Sequence, residues 1–472
     1  MSKILMVASE ATPFAKTGGL ADVIGSLPYA LRQRGEEVAV IMPRYRRVSL
    51  ENASRIYADR TVWVGGRPHR VDVFQINHRE VPYYFVDCPP LFDRDGLYGD
   101  GNGDFPDNPR RFAVLCRAAL VVIRYLFRPQ VVHCHDWQAA LMPIYMRHTF
   151  DLDPTFIGIP CLTTIHNLGY QGIFPPDSLP EMGLDPELLR IDALEYYGKV
   201  NLLKGAVLSS NAISTVSPTY AREIQEPEFG FGLDGVLRTR ANRITGILNG
   251  VDYTSWNPET DPHIAANYSA DNLAGKRLCK QDLLEAFGLP GGNLDRPLIG
   301  IISRFANQKG FDLIAEVAHE IAAEDVALVA LGTGDPEYEQ LFRDLAAAYP
   351  DRFGARIAYD DALAHKIEAG SDMFLMPSWF EPCGLNQMYS LRYGTVPIVR
   401  ATGGLDDSIG EETGFKFREY SGKALLDTVR RALESYADSI EWQQRMRRSM
   451  AQDYSWGASA AKYSLLYQSL VS

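Results

Sequence analysis

The sequence predicts an α/β protein built as two parallel-sheet halves, and three observations carry that expectation. Short aliphatic or β-branched runs alternate with longer stretches of helical spacing, the rhythm of βα units that feed a parallel sheet. Near the middle, a polar and proline-bearing segment from Asn249-Gly250-Val251-Asp252 through Trp256, Pro258 and Pro262 interrupts the rhythm and reads as an inter-domain linker. A second series of the same kind follows it. At 472 residues the chain is also longer than single cores usually grow.

Taken in order, the first half offers strand-like runs at Ile4–Ala8, Val38–Met42, Val131–His133, Cys161–Ile165 and Ala212–Val216. The second offers Leu298–Ser303, Val326–Leu331, Ala355–Ala358, Met373–Met376 and Val396–Val399, each followed by helical spacing or a turn. The tail from Trp456, with Ser455 as N-cap and helix formers from Ala458 to Leu470, reads as a terminal helix. The expected divisions are 1–250, 251–455 and 456–472. In doubly wound sheets ligands bind beyond the carboxyl ends of the strands, so residues just after these runs matter most, facing a cleft between the halves.

Composition narrows the function. Hydrophobic residues make up 46% and charged residues 22%, ordinary for a globular protein. Forty-seven basic against 59 acidic residues give a formal charge of -12, which disfavours a general nucleic-acid or anionic-membrane binder. Any anionic ligand must be held by a local pocket. The six cysteines form no CxxC pair, so neither a disulfide framework nor a zinc site is expected, and a reducing cytosol fits. The short apolar run before Glu10 does not read as a signal peptide, and no stretch is long and apolar enough to span a bilayer; a cytoplasmic protein is expected.

The loop "AKTGGLADV", Ala15 to Val23, follows the first strand. Gly18 and Gly19 let backbone N–H groups approach an anion, the next helix adds its positive end, and Lys16 adds a full charge. Glycine pairs also make plain turns, so the loop alone leaves both readings open, and its spacing is not that of a dinucleotide-binding GxGxxG. The motif echoes at Thr402-Gly403-Gly404-Leu405. In "SRFANQKG", Arg304 and Lys309 fall at a strand end and near a helix N-terminus, two cations and a dipole together. In "PSWFEPCGLNQM", Glu381 precedes Pro382 and Gly384 at an expected helix start, where a carboxylate is held in place to accept from a sugar hydroxyl or simply to cap the helix.

KTGGLADV, HDWQAAL, TIHNLGYQG, NGVDYTSWNP, SRFANQKG, PSWFEPCGLNQ and TGGLDD together resemble, in order and spacing and over essentially the whole chain, the bacterial glycogen synthase and plant starch synthase family. The resemblance implies a GT-B fold with the terminal helix returning to the first domain. It also implies retaining transfer of glucose from a nucleotide-glucose, here ADP-glucose, to the non-reducing end of an α-1,4-glucan. No metal or other cofactor is implied.

Carried onto this sequence, Arg304 and Lys309 neutralise the donor diphosphate, with Lys16 and the Gly18 and Gly19 amides assisting from the other domain on closure. Glu381 meets the donor glucose over the backbone of Cys383, Gly384 and Leu385, with Thr402 and Gly403 also on the donor side. His166 and Asn249 are sugar contacts, Tyr359 stacks on the base, and Asp136, Tyr98 and Trp137 lie toward the acceptor.

Some positions depart from the family pattern. Gln138 stands where His is common, Phe305 where Leu is, Trp379 where Arg is and Ala358 where Gly is. Tyr389 stands where related retaining enzymes carry a second Glu, which favours the glycogen and starch synthase branch. The alternatives are another retaining glycosyltransferase of this fold, using UDP-glucose or a small acceptor, and a non-catalytic glucan-binding scaffold. Three lures read as ordinary structure: the EF-hand-like Asp100–Phe105, the acidic pair Asp93 and Asp95, and His133 with His135, which share a strand face as a metal pair would.

Overall fold

The protein is described by a computed structural model covering residues 1–101 and 103–472. It forms two compact units: Met1–Val216 with Ala221–Gly250 and Trp456–Ser472, and Ser217–Tyr220 with Val251–Ser455.

The first unit is built on a nine-stranded sheet in the order Ile244–Gly246, Ala212–Thr215, Cys161–Ile165, Val131–His135, Lys3–Val7, Glu37–Pro43, Val81–Asp87, Arg67–His78, Ser54–Val64. Every pairing from the first of these to Val81–Asp87 is parallel. The last two strands run antiparallel and add to the expected parallel sheet an edge that the sequence reading did not include. Most of their residues are exposed or half-buried and they form no long buried run, which hides them from a search for buried strands. The signal that was there is Gly65-Gly66, the two residues between the strands, with φ +55° and +73°.

Chain order within the sheet locates the functional end. Lys3–Val7 is central; the chain moves to one side through Glu37–Pro43 and returns to the other with Val131–His135. The loops that leave Lys3–Val7 and Val131–His135 therefore part in opposite directions, opening a crevice at the carboxyl ends of these two strands. Leu20, Val23, Ile24, Leu27 and Leu31 of the helix Gly19–Gln33 recur at helical spacing and are buried. The terminal helix Trp456–Val471 packs on that helix, burying Tyr463 and Tyr467.

The second unit repeats the logic with six parallel strands in the order Phe353–Ile357, Ala327–Gly332, Leu298–Ile302, Met373–Met376, Val396–Arg400, Phe415–Phe417. Alternate residues supply two cores: Ile299, Ile301, Met373 and Leu375 on one face, Leu298, Phe374, Met376 and Val399 on the other. Both faces are buried, which is why these strands read as continuous apolar runs. The switch of direction falls between Leu298–Ile302 and Met373–Met376.

The expected linker is not a free tether. Trp256 stacks between His365 and Tyr389, with ring centroids 3.7 and 4.2 Å away. Asp261, fully buried, accepts from His365 Nδ1 at 2.7 Å and from the Tyr393 hydroxyl. Burial pushes the Asp261 carboxyl up, but these bonds and the His263 amide outweigh it and hold the group below its ordinary range.

Candidate active site

In the first unit the loop after Lys3–Val7 folds back on itself, Ala11 and Ala15 exchanging both backbone hydrogen bonds at 3.1 and 2.9 Å. This fold carries Glu10, 3% exposed, under the glycine pair. Its carboxylate accepts from the Thr17 hydroxyl at 2.7 Å, from the Thr17 amide, from the Gly18 amide at 3.4 Å and from the Tyr98 hydroxyl. Tyr98 also bonds Ser9 Oγ at 2.7 Å. Burial and the Glu10 charge push its phenol well above the ordinary range, so it stays a neutral donor. The loop thus already holds an internal anion. Lys16 pairs with Asp22 Oδ1 at 2.7 Å, an exposed contact worth less than about 1 kcal/mol and readily exchanged for a ligand. Glycines 18 and 19 leave open space where a Cβ would stand.

Beside it, at the end of Val131–His135, Asp136 takes φ +55°, a conformation costly for a residue with a side chain. Its carboxylate accepts from the His166 amide at 2.7 Å and from the Asn167 amide. Burial outweighs those bonds and, with Glu10 adding to it, raises the Asp136 pKa to about 7. His166, at the end of Cys161–Ile165, is kept neutral by burial, its pKa lowered to about 3. Asn249 Oδ1 is buried without a hydrogen-bond partner among the described residues, a polar atom that a ligand hydroxyl would satisfy.

In the second unit the two loops at the switch point are docked on each other. The Trp379 amide donates to Gln308 O at 2.9 Å, Gln308 Nε2 to Phe380 O at 3.0 Å, and Asn386 Nδ2 to Ile302 O at 2.8 Å. This brings Lys309 Nζ within 2.6 Å of Glu381 Oε2, which also accepts from Ser378 Oγ at 3.1 Å. Arg304 is exposed and makes no ion pair among the described residues. The helix begins at Asn386, with Leu385 as N-cap, so Glu381 is in the preceding loop and not at the helix start that the sequence suggested. It is placed by Lys309 and Ser378 instead. Tyr359 is 84% exposed in the loop after Phe353–Ile357.

The family described as starch synthase catalytic domain matches residues 3–239, and that described as glycosyl transferases group 1 matches residues 290–452. Glycogen synthase of Koribacter versatilis (strain Ellin345) is 52% identical over 98% of this chain and 97% of its own. Glycogen synthase of Anaeromyxobacter dehalogenans (strain 2CP-C) is 48% identical over 99% of each. The chain belongs to the glycogen and starch synthase family. The catalytic domain of starch synthase IV from Arabidopsis thaliana, solved with ADP and acarbose, is 34% identical to this family member over 100% of this chain and 99% of its own, with a TM-score of 0.91. That likeness gives the GT-B fold. Sucrose-phosphate synthase from Thermosynechococcus elongatus, 18% identical with a TM-score of 0.61 over 100% of this chain and 99% of its own, shares the fold alone.

Within this glycogen and starch synthase family member several positions singled out in the sequence have a structural account. The Trp137 ring is packed edge-on against Phe112 and Phe174 at 5.0 and 5.6 Å, with Gly172 against it, so packing in the core accounts for this residue. Phe305 is buried against Phe342 and Phe311, which accounts for its place where Leu is common. Tyr389, in place of a second Glu, stacks on Trp256. Asp93 and Asp95 both pair with Arg46, and both ring nitrogens of His133 are engaged, by Tyr467 at 2.8 Å and Thr164 at 2.6 Å. These lures are structural. The EF-hand look-alike includes residue 102, which lies outside the described residues.

The two TGGL motifs of this family member have different physical causes. A Cβ on Gly403, at φ +44°, would meet Glu381 O at 2.0 Å, and one on Gly404 would meet Cys383 O at 2.1 Å. The second pair is therefore the floor on which the Glu381 loop rests. Gly403→Ala is expected to cost about 3 kcal/mol or more and to lower Tm by about 10 °C. Gly19→Ala, in open space at a helix start, should leave Tm unchanged or slightly raised, and a loss of turnover without a loss of Tm is the expected result if this loop receives an anion. Thermal melts and nucleotide release on both variants check this; equal Tm losses would show the two loops to be built alike.

Proposed function

We propose that the protein is an α-1,4-glucan synthase that transfers glucose from ADP-glucose to the non-reducing end of glycogen, with retention at the anomeric carbon. The observation that carries this reading is the docking of the Arg304–Gly310 turn on the Pro377–Gly384 loop, which sets two cations and an oriented carboxylate at one switch point. The full-length likeness to glycogen synthases and to a starch synthase solved with ADP supports it.

In this reading Arg304 and Lys309 stabilise the diphosphate as it leaves, and Lys16 with the Gly18 and Gly19 amides serves the same group. Fixed donors aimed at developing charge are worth about a hundred- to a thousandfold each. Glu381, fixed by Lys309 and Ser378, accepts from a glucose hydroxyl, over the backbone of Cys383, Gly384 and Leu385 with Thr402 and Gly403 beneath. His166 and the unpaired Asn249 Oδ1 take other hydroxyls, Tyr359 stacks on the base, and Asp136 with Tyr98 serves the acceptor. The acceptor oxygen bonds to the anomeric carbon as the carbon–oxygen bond to phosphate breaks. The acceptor's proton passes to the departing phosphate on the same face, which retains configuration without a glycosyl-enzyme.

The test is nucleotide release with glycogen as acceptor, comparing ADP-glucose with UDP-glucose. Faster release from ADP-glucose, with glucan elongation, is the expected result. Transfer to a small sugar but not to glycogen would replace this reading with another retaining glycosyltransferase. Glycogen binding without release from either nucleotide would leave a scaffold.

A further inference from the structure

Three histidine rings lie in series at the carboxyl ends of Val131–His135 and Cys161–Ile165. The rings of His133 and His135 lie at a 39° tilt with centroids 4.0 Å apart, and His135 Nδ1 is 3.0 Å from His166 Nε2. All three are buried, and burial lowers the pKa of each, so the rings are neutral near pH 7. Each neutral ring then carries one N–H and one bare nitrogen.

Hydrogen-bond accounting fixes where the protons sit. His133 is satisfied at both nitrogens by the hydroxyls of Tyr467 and Thr164 and has no ring nitrogen left for its neighbour His135. His135 Nε2 is buried with no partner among the described residues. Only one proton can occupy the His135–His166 contact. If His166 donated it, His135 would carry its own proton on Nε2, a buried N–H with no acceptor. If His135 donates from Nδ1, the unpaired Nε2 is a bare acceptor, the less costly of the two orphans. The second arrangement also forces the proton of His166 onto Nδ1, the nitrogen that no described residue engages.

We propose that His135 is a positioning residue that holds His166 in the Nδ1-protonated tautomer, so that His166 meets its ligand as a hydrogen-bond donor. The inference deepens the functional reading and rests on it for the ligand: the atom facing Nδ1–H would be a lone pair on a sugar hydroxyl. His135 does not touch the sugar. It acts by denying His166 the alternative tautomer, in which a bare nitrogen would face the ligand and demand its proton. Tyr467 of the terminal helix and Thr164 hold the base of the series by fixing His133. No sequence motif announces this role, because the second histidine of "HCHDW", His135, reads as an ordinary buried strand residue until its partner is seen.

The test is a long-range proton–nitrogen spectrum of the full chain labelled with 15N-histidine near neutral pH, the His166 signal being identified by its loss in His166→Gln. A protonated-type Nδ1 and a bare-type Nε2 are expected; the reverse assignment overturns the proposal. His135→Asn keeps a donor where Nδ1 stands, whereas His135→Leu removes it. The Leu variant should release His166 toward Nε2 protonation and lose about tenfold or more in kcat, with Asn recovering most of both. A folded Leu variant with an unchanged His166 signal, or Asn and Leu variants equally impaired, also counts against it. Should the Leu variant not fold, the wild-type spectrum still decides. A chain inactive on every sugar nucleotide would remove the functional reading and leave the tautomer assignment standing.

Discussion

Lys309→Ala should lower turnover with ADP-glucose by about a hundred- to a thousandfold while leaving affinity for glycogen, measured by co-sedimentation, nearly unchanged. The reasoning is that the lysine stabilises charge that exists only as the diphosphate departs, so its loss is felt in kcat and not in the glucan complex. The structure adds a complication that can be used. Lys309 also neutralises Glu381, which is 6% exposed and otherwise keeps only the Ser378 hydroxyl. Removing the lysine strands a nearly buried carboxylate, at a cost of about 3 kcal/mol at most, since the lysine itself is partly exposed. Lys309→Ala combined with Glu381→Gln removes both charges and should restore thermal stability without restoring turnover. A double variant that regained activity would show that Lys309 serves only to hold Glu381. Equal losses of turnover and glycogen affinity would remove it from the leaving-group role.

That double role could not be read in the sequence, and the reason is physical. Strands buried on both faces announce themselves as apolar runs, so Cys161–Ile165 and Met373–Met376 were found at their observed bounds, and the GT-B architecture followed from rhythm and resemblance. The hairpin Ser54–Val64 and Arg67–His78 does not announce itself, because strands this exposed leave no long buried run and only Gly65-Gly66 marks the turn between them. The positions of Asp136, His166, Arg304 and Lys309 just beyond strand ends are legible from the apolar runs that precede them. Residues whose role lies in a partner are not. Glu10 is seven positions from Thr17, and only the backbone exchange between Ala11 and Ala15 brings its carboxylate to that amide. Likewise, the two TGGL motifs are identical in letters, and the difference between an open nest and a packed floor exists only in three dimensions. The packing of Trp137 is equally hidden, because its ring neighbours, Phe112 and Phe174, are distant in sequence.

Asp136→Asn is expected to stabilise the protein above neutral pH while weakening it as a catalyst. The sign follows from the direction of the shift. The folded-state pKa of Asp136 is raised from 3.8 to about 7, so between those values the native state holds a proton that the unfolded chain has released. Stability contributed by this group therefore falls as pH rises, by about 1.4 kcal/mol per unit and by about 4 kcal/mol at most once pH exceeds 7. Below about pH 4 both states are protonated and the penalty vanishes. An asparagine never ionises and can keep the acceptor bond from the His166 amide, so melts of variant and wild type should converge near pH 4 and diverge toward pH 8, with the variant higher. Activity should move the other way, by about ten- to a hundredfold for a lost charged hydrogen bond to the acceptor. The carboxylate is thus kept in an unfavourable place, at φ +55° and under burial, where its cost is greatest in the ionised form. Melting curves that run parallel at every pH would show that Asp136 has an ordinary carboxylate pKa, and with it would go the argument that the strand end stores free energy in this one side chain.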